Sequence, residues 1–154
     1  MKKITAILLS VLMVVALFGC SAKQDEKPTT AQPTTETTTK APVLNPLTGE
    51  EGFSESAVGK RPVAIVVENL RLARPQWGIT SPDIICEGEV EGGISRMLWL
   101  YADTNDVPEK VGPLRSARPS YVKFSKFFDA IFIHWGGSHS TKNYTGGYET
   151  IKKE

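Results

Sequence analysis

The chain has 154 residues, with 18 Lys and Arg against 17 Asp and Glu and a formal net charge of +1. That balance argues against nucleic acid as a partner, because such surfaces are strongly basic. With only two cysteines, the chain carries no disulfide framework.

Lys2 and Lys3 precede an apolar run from Ile4 to Phe18 that ends in Leu17-Phe18-Gly19-Cys20. The run is too short for a spanning helix, which needs about 20 apolar residues. An A-x-A-like cleavage site is absent as well. A charged start, a short apolar core and a small residue before a cysteine read as a bacterial lipoprotein signal over residues 1–20. Phe18 is bulkier than the small residue usual at its place. On this reading Cys20 is acylated, by palmitate or a similar chain, and becomes the first residue of the mature protein. It anchors the chain to the extracytoplasmic face of the cell membrane, its first expected partner.

Residues 21–43 are mostly Thr, Pro, Lys, Glu and Gln. Such a segment cannot bury enough apolar surface to offset its ordering entropy, so it reads as a disordered tether. Residues 44–154 then supply about 110 residues, enough for one domain with a hydrophobic core. They hold 13 Lys and Arg against 14 Asp and Glu, a near-neutral balance that leaves room for a local cationic pocket.

Pro62 to Val67 is a β-branched run that predicts a strand buried on both faces. Arg71 to Pro82 contains two prolines and Gly78 and reads as loop or broken helix. Ile84 to Val90 predicts a second strand with Glu87 and Glu89 on one face. Cys86, inside it, reads as a small buried hydrophobe. After Gly92-Gly93, Ile94 to Tyr101 predicts a central strand. A helix is expected from Ala117 to Phe128, with Ser116 as its N-cap and Tyr121, Val122, Phe124, Ser125 and Phe128 on one side. Ala130 to His134 predicts another buried strand. The order of elements implies an α/β or α+β domain, a mixed β-sheet with flanking helices, preceded by the signal peptide and tether. The chain stops at Lys152-Lys153-Glu154 in a helical pattern without a terminal cap, and residues 44–154 are expected to be an incomplete domain.

Three clusters carry candidate chemistry. In Glu91-Gly92-Gly93-Ile94-Ser95-Arg96, paired glycines let backbone approach a ligand beside Glu91 and Arg96. A bulge or turn with a solvated ion pair explains the same residues. In Gly112-Pro113-Leu114-Arg115-Ser116-Ala117-Arg118-Pro119, a loop runs into a helix start. Free amides there and the forks of Arg115 and Arg118 suit a carboxylate or phosphate. The alternative is pairing of both arginines with local acids such as Glu89, Glu91 or Glu109. In His134-Trp135-Gly136-Gly137-Ser138-His139, a strand delivers His134 to its end, Trp135 offers a ring to stack on a sugar, and His139 falls on the turn. A hydrogen-bonded structural histidine at a strand end is the reading favoured over a catalytic base. No metal spacing, Walker loop or nucleophile elbow occurs, and no cofactor is expected.

These motifs occur in register with Asn45-Pro46-Leu47-Thr48-Gly49, Arg61-Pro62-Val63-Ala64 and Ala73-Arg74-Pro75-Gln76. Together they resemble the YerB-like lipoproteins of Gram-positive bacteria, built around a domain of unknown function. The resemblance runs from about Asn45 to Ser138; Glu68 stands where an aspartate is expected, and Trp77 where a small polar residue is common. It implies an anchored extracytoplasmic protein whose N-terminal domain is followed by a smaller C-terminal one, with no established activity. The leading expectation is a non-enzymatic envelope module in which Arg115, Arg118 and the Ser116 amides hold an anionic group of a wall polymer or peptide. Glu91 and Arg96 would shape the pocket, and His134, Gly136, Gly137 and Ser138 its opposite wall. The alternatives are an enzyme acting on a wall component, with Glu91 or His134 as base, and a regulatory partner of wall-synthesis proteins.

Overall fold

The β-branched run Val63-Ala64-Ile65-Val66-Val67 forms the first strand, β1 (Val63–Glu68), and all six of its residues are buried. The computed structural model describes residues 41–154, so the expected lipid signal, with Cys20, and nearly all of the tether lie outside the described residues. Strand β2 (Ile84–Glu89) alternates half-buried and exposed positions, and β3 (Ser95–Tyr101) is buried beyond its first residue. Helix α1 (Pro119–Phe127), strand β4 (Ile131–Ile133) and helix α2 (Gly147–Lys153) follow. The sheet order is β2-β3-β1-β4. The first two pairings are antiparallel and β1–β4 is parallel, with β2, β3 and α1 lying between them in the chain. This mixed four-stranded sheet with two helices is an α+β arrangement.

Successive side chains of β1 and β3 fall on opposite faces of the sheet and make two cores. Val63, Ile65, Val67, Met97, Trp99 and Tyr101 form one face, covered by Val107, Val111 and Leu114. Ala64, Val66, Leu98 and Leu100 form the other, where Tyr121 of α1, Phe128 and Phe132 close over them. Leu98, Trp99 and Leu100 are fully buried, each stabilising the fold by about 1.5–3 kcal/mol relative to exposure. Cys86 is half-buried in the helix-side core, and burial pushes its thiol pKa up.

Three local expectations need correction. α1 begins at Pro119 with Arg118 as N-cap, and no side chain caps it, so Ser116 is not the cap. Phe124 is 49% exposed and does not share the buried side of Tyr121, Val122 and Ser125. β4 is an edge strand with Ile131 and Ile133 exposed, not the buried strand expected there.

The first and third corrections share a cause. β4 pairs only with Val63, Ala64 and Ile65. The second half of β1 takes a different neighbour: Arg115 N donates to Val66 O at 2.9 Å and Glu68 N to Pro113 O at 3.0 Å. The far side of that same segment pairs with the continuation of β4. Trp135 N donates to Arg115 O, Ala117 N to Gly136 O and Ser138 N to Ala117 O. Residues 113–117 are thus an extended insert in the fork between two parallel strands. Ser116, held in that insert, cannot turn back to cap the helix.

Candidate functional site

The α1-side row of side chains at the C-terminal end of β1 begins with a cross-strand trio. Glu68 registers with Arg96, and Arg96 with Gly88. The Tyr121 hydroxyl lies over Gly88, where an added Cβ would stand a tight 3.3 Å from that oxygen. The hydroxyl lies 2.6 Å from Arg96 O and 2.9 Å from Gly88 O, tying α1 to the sheet at this row.

Three guanidiniums converge here. Arg115 pairs through Nε with Glu68, whose other oxygen accepts from the amides of Asn69 and Leu70 at 3.1 and 3.3 Å. The Arg115 side chain remains 45% exposed, whereas Glu68 is buried. Arg118 Nε donates to Glu91 Oε1 at 2.6 Å and its Nη1 to Ala117 O at 2.9 Å. Arg96 is 5% exposed and donates through Nη1 to Ser116 O at 2.7 Å; its Nε is buried and has no partner. Burial lowers the Arg96 pKa, repulsion from Arg118 and Arg115 adds to this, and Glu91 and Glu68 oppose it. The hydrogen bond from Arg118 holds the Glu91 carboxyl below its usual range, against a smaller effect of burial. The cluster therefore has three guanidiniums against two contacting carboxylates, and the unmatched one is the most buried.

The opposite side of the insert is the His134–Ser138 wall. His134 Nδ1 lies 2.7 Å from Gly136 O, and a carbonyl only accepts, so Nδ1 carries the proton. The ring stacks on Phe132. Gly136 has φ +79°, and a Cβ on Gly137 would stand 3.1 Å from three ring atoms of Tyr148, which explains both glycines. Ser138 Oγ accepts from Gly147 N at 2.9 Å and meets Tyr144 Oη at 3.1 Å. His139 is exposed, as is Trp135 at 76%.

All nine candidate residues therefore touch the 115–118 segment, one another or the turn that backs it. Both arginines are ion-paired, as the alternative reading of that cluster has it: Arg118 takes Glu91, one of the named acids, and Arg115 takes Glu68, which was not among them. Glu91 and His134 are each engaged by other groups and make no contact with each other. Beside the cluster a cleft of about 310 Å³ opens at the start of α1, lined by Glu89, Glu91, Arg118, Ser120 and Tyr144. A larger hollow of about 440 Å³ lies elsewhere, among Leu44, Phe53, Val58 and Phe128, and holds none of the candidates. Among the described residues no group of three or more His, Cys, Asp or Glu is placed to hold a metal.

Residues 47–153 match the family model described as "Protein of unknown function (DUF3048) N-terminal domain". The chain belongs to the DUF3048 family. It is 39% identical over 142 residues to a Bacillus subtilis (strain 168) protein named Putative lipoprotein YerB, covering 92% of this chain and 39% of that relative. The crystal structure of the YerB protein from Bacillus subtilis is similar, with a TM-score of 0.55 and 32% identity over 72% of this chain and 48% of that one. The chain thus spans less than half the length of either relative.

Glu68, Tyr121, Gly88 and Tyr144 were missed as site residues. Glu68 did leave a signal, a carboxylate closing a fully apolar strand where the family resemblance leads one to expect an aspartate. Gly88 left none, because the phenol that bonds its carbonyl arrives from 33 residues away.

Proposed function

We propose that this chain is a membrane-anchored, non-enzymatic binding module of the cell envelope that holds an anionic group at the arginine cluster. The signal-like N-terminus and the relative's name support the anchor at Cys20 and the extracytoplasmic location. One observation carries the ligand charge. Arg96 is a 95% buried guanidinium with an unpartnered Nε and no carboxylate of its own. Burying a charge without a counter-ion is costly, and an anion reaching the cluster would relieve it. The flanking groups can adapt. The Glu91 side chain is 58% exposed, so its ion pair with Arg118 is weakly held and exchangeable with a ligand oxygen. The uncapped start of α1 adds backbone donors on the same side.

The ligand class that fits is a phosphate or carboxylate of a wall polymer or wall peptide, with His134 to Ser138 as the far wall. The test is the melting midpoint of the full chain in mild detergent against muropeptides, phosphate-containing polymers and simple anions, with Arg115→Ala alongside. A ligand bound only by the folded state raises the midpoint, by about 2.7 kcal/mol of stability at a hundredfold excess over Kd. A rise that disappears in Arg115→Ala supports the site. A flat response across the panel overturns it and favours the second reading, a protein partner of wall-synthesis enzymes. For that reading the relevant observation is the exposure of Phe124 and Phe127 on α1, at 49% and 81%.

A further inference from the structure

We infer that the outer edge of β4 is a strand-docking seam, filled by an extended, alternately apolar segment from the part of the family architecture that follows this N-terminal domain. Among the described residues, the backbone from Ile131 to Trp135 is bonded along one side only. Ile131 N donates to Pro62 O and Trp135 N to Arg115 O, both inward. Period-two alternation then turns the amides of Phe132 and His134 outward. Among the described residues no strand pairs with that edge.

The side chains point the same way. Ile131 and Ile133 register with Val63 and Ile65, which are 5% and 3% exposed in the core of the face away from the helices. Ile131, Ile133 and Trp135 continue that face at 46%, 37% and 76% exposure. The apolar surface of the sheet therefore runs past its last strand uncovered. Unpaired edges are ordinarily blunted by lysine, proline or an inward charge. Ile131-Phe132-Ile133-His134-Trp135 has none of these.

The occupant follows from two findings. The family model is by description an N-terminal domain, and the chain matches only 39% of the relative's length. Family members thus carry enough further chain to supply a strand. A helix laid on the edge would cover the three side chains and leave the outward amides unbonded, whereas a strand satisfies both. The insert at residues 113–117 already shows β1 accepting a non-strand segment in this manner.

The test is amide hydrogen exchange on the complete Bacillus subtilis relative and on the full 154-residue chain in mild detergent. In the relative, the strand aligned with Ile131–Ile133 should be protected like its interior strands. In the 154-residue chain, Phe132 and His134 should exchange on the order of a hundredfold faster than Leu98 and Trp99. Ile133→Lys should lower the midpoint of this chain by less than the aligned substitution lowers that of the relative. Two results would overturn the inference: rapid exchange of that strand in the complete relative, or concentration-dependent protection of Phe132 and His134 in this chain together with a dimer mass. The second would assign the seam to another copy of the same chain. The relative's result stands even if a preparation of the shorter chain is unfolded.

Discussion

Replacing Glu68 by Gln is the sharpest probe of the arginine cluster, because one buried carboxylate serves three clients. Oε1 accepts from the amides of Asn69 and Leu70, and Oε2 faces Nε of Arg115. A Gln can keep the first two bonds only by turning its NH₂ onto a guanidinium. The half-exposed Arg115 pair accounts for about 1 kcal/mol. Leaving buried Arg96 beside two other cations and a single carboxylate adds another ~1–2 kcal/mol. The expected cost is thus about 2–3 kcal/mol, or roughly 8–12 °C in Tm for a domain of this size. Urea unfolding of the full chain, followed by tryptophan fluorescence, measures it, since Trp99 is fully buried. Arg115→Met should recover about 1 kcal/mol in the double variant, because the two residues are in direct contact. A cost of less than about 0.5 kcal/mol for Glu68→Gln, or strict additivity of the two changes, would refute this account of the cluster.

Further outcomes follow from particular contacts. The Glu91 carboxyl titrates below its ordinary value of 4.5, so the stability it adds is present above that value and is lost as pH falls through the lowered one. Acid titration of Tm should therefore show a small loss below the ordinary Glu range that Glu91→Gln removes. Gly137→Ala places a methyl 3.1 Å from the Tyr148 ring and should cost about 1–2 kcal/mol in urea, with Tyr148→Ala in the same chain relieving the clash. Tyr121→Phe deletes the hydroxyl shared between Gly88 O and Arg96 O and should cost about 1 kcal/mol by the same assay, with little change in m-value.

The strands were legible because their signal is local. Val63 to Val67 and Met97 to Leu100 are apolar runs that fit only buried strands, and both lie within a residue of where the pattern put them. The candidate residues were legible as a set for a related reason: glycine pairs and arginines next to proline are unusual in any sequence. Their partners were not legible. Glu68 meets Arg115 across 47 positions, and nothing local in either segment specifies the other. The helix start failed for a tertiary reason, since residues 113–117 gain more from bonding two strand edges than from extending α1 by a turn. β4 was misjudged because its apolar run looks the same whether or not a neighbour covers it. Pattern reports what a strand can bury, and topology decides what it does bury.

The fork between β1 and β4 gives the proposed anion site mechanical reach. Among the described residues, residues 115–117 bridge the backbone of Val66 to the stretch from Trp135 to Ser138, so any group that grips Arg115 and Arg118 also clamps the free end of the edge strand. By linkage, whatever zips the outer side of that strand must in turn steady the arginines. Occupancy of the cluster and completion of the sheet would then reinforce each other across a single five-residue splice, the sign of that coupling being set by geometry and not by the identity of either partner.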